Sequence, residues 1–144
     1  MTANRFRALI GIHLVLSAAS VGLHVALAFA PVSYSAALHQ AYEAEPTGLL
    51  GASASLFVDF ALFAGWVLGL IGMYRFRRWG RGLSAVVTVA MLAYYAISGP
   101  FLAGGIELAV TIAAEIAWGA VLAIAYCVPA IKARFEAAEP SHQS

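Results

Sequence analysis

Four apolar stretches, each longer than the roughly 18 residues that mark a membrane-span candidate, constrain this chain more than any motif in it. They cover residues 8–29, 52–74, 82–100 and 106–129. Such runs match the hydrocarbon core of a bilayer, about 30 Å thick. A backbone crossing lipid must satisfy its own hydrogen bonds, which leaves a helix or a closed barrel. A barrel needs many segments of about ten residues with alternating polarity, and these runs do not alternate. The chain is 62% hydrophobic and 10% charged, against about 45–50% and 25% in soluble domains. The fold class read from the sequence is therefore an all-α integral membrane protein of four transmembrane helices. At 144 residues it forms a single domain.

Charge sets the expected orientation. The eight basic residues are Arg5 and Arg7, then Arg75, Arg77, Arg78 and Arg81, then Lys132 and Arg134. The loop 30–51 has none and carries Glu43 and Glu45, and the turn 99–105 has none either. The positive-inside rule puts both termini in the cytoplasm, with the cell (inner) membrane as the expected location. Short turns between consecutive spans imply an up-down-up-down bundle. The basic residues act as topological signals, so nucleic acid is not an expected partner. The first apolar run exceeds the roughly 7–15 residues of a signal peptide and is read as a helix. In the loop 30–51, the segment YSAALHQAYEAEP sets Tyr34, Leu38 and Tyr42 on one side of a short interfacial helix. Residues 132–144 read as a polar tail.

With Cys127 as the one cysteine, disulfides and CxxC chemistry within the chain are excluded. Ala61, Gly65 and Gly69 repeat at four-residue spacing on the second span, a face that packs inside the bundle or against a second copy in a homo-oligomer.

Each span carries one polar stripe. The first has His13, Ser17, Ser20 and His24; the second Ser55, Asp59 and Trp66; the third Ser84, Thr88, Tyr95 and Ser98; the fourth Glu107, Thr111, Glu115 and Trp118. Charge in lipid is costly, so such stripes face the bundle interior or a watery cavity. With about 1.5 Å rise per residue, Glu115, Asp59, Tyr95 and His24 fall in one layer of the outer half. Glu107 lies nearer the surface, and His13 stands apart on the cytoplasmic side. The candidate ligand- and proton-binding residues are His24, Asp59, Tyr95 and Glu115, with Trp66, Trp118 and Thr111 beside them.

A histidine and two carboxylates also make a ligand set for Fe(II) or zinc, but no local signature such as HExxH accompanies them, and no metal is assigned. Haem lacks its second ligand: His13 and His24 lie about 16 Å apart along one helix. No motif identifies a cofactor. The first functional reading is an outward polar cavity that binds or moves a small molecule or cation with proton coupling. A second is an embedded enzyme using an acid/His pair on a lipid-like substrate, and a third is an accessory subunit of a larger membrane complex.

Overall fold

The computed structural model of the chain describes residues 1–29, 52–98 and 105–137. The expected interfacial helix, the turn from 99 to 104 and the last residues of the tail lie outside these. The described residues are helical and contain no strand. The helices are α1 (Ala3–Phe29), α2 (Ala52–Tyr74), α3 (Arg78–Ile97), α4 (Gly105–Cys127) and α5 (Pro129–Ala137). The first four are long and apolar enough to cross a membrane. Their outward faces carry large apolar side chains, with Phe57 at 75% exposure and Ile106 at 74%. A soluble protein rarely presents so much contiguous apolar surface, whereas lipid solvates it.

α1 begins five residues before its apolar run. Thr2 provides the start: its Oγ1 accepts a hydrogen bond from the Arg5 backbone N–H at 3.4 Å, an N-cap arrangement. The fourth apolar run was expected to end in a tail. Instead, Pro129 opens α5, a position that tolerates the missing N–H. Ile131 and Phe135, one turn apart on it, are completely buried.

The four long helices associate in two close pairs, α1 with α4 and α2 with α3, and the pairs touch each other much more sparingly. Small residues set the α2–α3 contact. Gly65 faces Val87, Gly69 faces Ser84, and Gly72 meets Gly80 backbone to backbone. Gly65 and Gly69, two members of the small-residue face, thus spend it on α3 of the same chain, while Ala61 stays exposed. Close backbone approach replaces the hydrophobic drive that lipid cannot supply between helices. Ser84 Oγ, beside Gly69 in this contact, is buried without a hydrogen-bond partner among the described residues.

At one end the two pairs converge on an aromatic cluster. Phe6, Phe76 and Phe135 lie with ring centroids 5.3–6.1 Å apart, and Met73, Val121, Ala125 and Ile131 complete the buried core. Arginines close over it. Arg7 sits 5.0 Å from the Tyr74 ring and 5.3 Å from Phe76, Arg81 4.8 Å from Tyr126 and 5.6 Å from Phe135, and Arg134 5.9 Å from Phe76. Three arginines also donate to carbonyls at helix C-termini. Arg7 Nε reaches Tyr74 O at 3.3 Å, Arg78 Nη2 reaches Glu136 O at 3.0 Å and Arg81 Nη1 reaches Ala125 O at 3.5 Å. A cation there satisfies orphan acceptors and complements the negative end of the helix dipole.

The α2–α3 connection shows what the cluster outweighs. Arg77 N–H bonds Gly72 O at 2.8 Å and Phe76 N–H bonds Met73 O at 3.1 Å, the paired pattern of a Schellman C-cap. Its left-handed position is normally glycine, yet here it is Phe76, with φ of 56°. Left-handed backbone costs a side-chain-bearing residue about 1–2 kcal/mol, while losing a buried phenyl ring costs about 3–5 kcal/mol. The ring wins.

Two outcomes are expected from thermal unfolding in detergent. Phe76→Ala, which keeps the backbone strain and loses the ring, should be less stable than Phe76→Gly, with wild type above both. Gly80→Ala places a methyl against the Gly72 backbone and should cost about 1–3 kcal/mol. Gly82→Ala, with open space around its site, should be neutral or slightly stabilising.

Candidate functional site

The polar stripes of α1 and α4 meet as a ladder. His13 Nδ1 lies 3.0 Å from Ala114 O, Ser20 Oγ 2.6 Å from Thr111 Oγ1, and His24 Nδ1 2.7 Å from Glu107 Oε1. Thr111 Oγ1 is also 2.9 Å from Glu107 O, one turn back on its own helix. The facing α4 positions are therefore 107, 111, 114 and 118. Glu115 stands about 100° round the helix from Ala114 and is exposed.

His24 meets Glu107, whereas its sequence-expected partners were Asp59 and Glu115. The difference follows from where α1 starts. Centring the helix on Ala3–Phe29 rather than on residues 8–29 moves every α1 side chain relative to the other spans. His24 then lies about 12 Å from the middle of α1 and Glu107 about 14 Å from the middle of α4, so they share a level. The contact is charged on both sides only when the imidazole is protonated, and the two side chains differ in burial, 58% against 5% exposed.

Counted the same way, His13 lies nearer the middle of α1, in company the sequence did not assign it. It is 2% exposed. Trp66 Nε1–H donates to His13 Nε2 at 3.3 Å, and the Trp118 ring stacks on the imidazole at 4.8 Å and 25°. Trp118 Nε1–H in turn donates to Thr88 Oγ1 at 2.8 Å, whose own hydroxyl donates to Ser84 O at 2.8 Å. The hydrogen bonds choose the tautomer. Nε2 accepts from an indole, which has only a proton to offer, so Nδ1 carries the hydrogen and gives it to Ala114 O. Residues of α1, α2, α3 and α4 all enter this hub. It lies within about 5 Å of the middle of each helix. A histidine between two tryptophans was open to notice in the sequence, because all three sit mid-span, but it needed the true start of α1.

Asp59 of α2, Tyr95 of α3 and Glu115 of α4 form a second group. Both carboxylates lie close enough to the Tyr95 phenol to act on it electrostatically, and Glu115 also lies within electrostatic range of His13. All three side chains are exposed, Tyr95 at 60%. Among the described residues no three His, Cys, Asp or Glu side chains are gathered as a metal-ligand set. Of the sequence-derived candidates, then, Asp59 and Glu115 each lie within electrostatic range of Tyr95. Trp66 and Trp118 belong to the hub, and His24 and Thr111 to the α1–α4 ladder.

Comparison of the chain with protein-family models, curated proteins and solved structures finds no significant match.

The hub makes a measurable claim. Trp66→Phe keeps an aromatic ring but removes the N–H that satisfies His13 Nε2. It should cost about 0.5–2 kcal/mol in detergent unfolding. In a His13→Leu background, where no acceptor remains, the same substitution should cost markedly less. Additive effects would mean that the indole–imidazole bond contributes nothing.

Proposed function

We propose that the chain is a membrane protein that binds or moves a small molecule or cation, with proton coupling, at a polar opening bordered by Asp59, Tyr95 and Glu115. The observation that carries this reading is that Tyr95 of α3 lies within electrostatic range of a carboxylate on each of two other helices, with all three side chains exposed in otherwise apolar spans. A carboxylate facing lipid alone costs several kcal/mol, so exposure at that depth favours contact with water or a ligand. Two carboxylates that both act on one phenol leave net negative charge around it, and one proton or one bound cation relieves that charge. Proton and cation then compete for the same charge, which is the elementary form of coupling.

The working topology alternates in direction, with both termini cytoplasmic and the opening toward the outer face of the cell membrane. Pairs such as Gly65–Val87 with Gly72–Gly80, and His13–Ala114 with His24–Glu107, support alternation. The distribution of basic residues, eight at one set of helix ends, supports the orientation. His24 and Glu107 lie on the same side of the hub as the opening and serve as its structural rim.

Proteoliposomes carrying a trapped pH dye test the proposal. A panel of alkali cations and small amines should include one that drives proton release, with weaker binding at lower pH as protons compete. Asp59→Asn and Glu115→Gln should abolish the response while leaving the melting temperature close to wild type. Glu107→Gln should instead lose stability, because it weakens the contact to His24, and a second substitution at His24→Gln should recover part of it. Proton release unchanged in both Asp59→Asn and Glu115→Gln would overturn the reading.

A further inference from the structure

The end of the molecule opposite the proposed opening carries an unspent surface. The aromatic cluster draws three basic segments together. Phe6 lies between Arg5 and Arg7, Phe76 between Arg75 and Arg77, and Ile131 beside Lys132, all with their apolar side chains in one core. Arg7, Arg78 and Arg81 are engaged at helix C-termini, and Arg134 lies over Phe76. Arg5, Arg75, Arg77 and Lys132 are exposed, and among the described residues the one ion pair is His24–Glu107, far along the helices from them. Only Glu136 among the described acids shares this end.

From this geometry we infer a binding surface for anionic phospholipid headgroups, seated on Arg5, Arg75, Arg77 and Lys132. Two independent observations select a lipid over another anion. The first is charge: among the described residues none of these four cations is ion-paired, and basic residues beside a membrane span attract anionic lipid. The second is depth. Tyr74, Trp79 and Tyr126 are about half exposed at this same end, and amphipathic aromatics settle at headgroup level. Directly along α2, Ile71 and Leu68 present an exposed apolar surface for an acyl chain. A headgroup there meets a cation on α1, two from the α2–α3 connection and one on α5. It therefore touches both helix pairs where they join, and binding stabilises the joint by mass action. The arginines held at carbonyls and rings stay in place and frame the site.

The test measures thermal unfolding of the purified full chain in zwitterionic detergent, titrated with phosphatidylglycerol, with phosphatidylcholine, or with inorganic phosphate. Phosphatidylglycerol should raise the melting temperature, the rise should shrink with added salt, and phosphatidylcholine and inorganic phosphate should have little effect. At about a kcal/mol per basic side chain, Arg75→Gln with Arg77→Gln should weaken phosphatidylglycerol binding by about thirtyfold. Arg5→Gln and Lys132→Gln alone should each weaken it by about fivefold, which keeps the test decisive if the double variant does not fold. An equal response to phosphatidylcholine, the same shift with inorganic phosphate, or unchanged affinity in the single variants would overturn the inference.

Discussion

The two helix pairs are held to each other chiefly where Phe6, Phe76 and Phe135 close against one another, and the rest of the architecture depends on that joint. Lipid provides no hydrophobic force between helices inside the hydrocarbon, because a leucine is as well solvated by acyl chains as by another leucine. At the water-facing end the ordinary hydrophobic effect returns, and burial of aromatic rings regains its full value. The largest fully buried apolar side chains among the described residues, Phe6 and Phe135, accordingly lie beside arginines. The same joint tolerates a phenylalanine in left-handed backbone and recruits α5, whose two buried side chains would otherwise lie in solvent.

Away from the joint, polar contacts take over. The His13 hub ties four helices with directed hydrogen bonds, and its members leave each other little freedom. An indole donor on one side and a backbone carbonyl on the other fix both the orientation and the tautomer of the imidazole. Further along, the α1–α4 ladder continues through hydroxyls to the His24–Glu107 contact, while α2 and α3 rely on glycine contacts. The two pairs thus have different chemistry: one is joined by hydrogen bonds, the other by backbone proximity.

This division bears on the proposed opening. Glu107 is buried and engaged with His24, whereas Asp59 and Glu115 remain accessible beside Tyr95. Glu107 and Glu115, eight positions apart on a single helix, stand in different surroundings because of a rotation of about 80° between them. In the proposed reading the binding role falls to Asp59 and Glu115, and a structural one to Glu107.

The sequence alone determined that the chain is helical and suited to a membrane, because the length of an apolar run and the backbone's need for hydrogen bonds require nothing from the rest of the fold. It also determined that the first span presents its histidines and serines on one face, since helical periodicity is local. Only tertiary structure decided what those faces meet. α1 starts five residues ahead of its apolar run, with Thr2 as its cap, and this moves the helix centre by about 4 Å relative to His13 and His24. Packing of the helices set His24 opposite Glu107 and His13 between two tryptophans. The helix after Pro129 was equally hidden, because two apolar residues in a charged segment acquire meaning only when Phe6 and Phe76 are present to receive them. Periodicity is written into one helix at a time, whereas register between helices is a property of the packed pair.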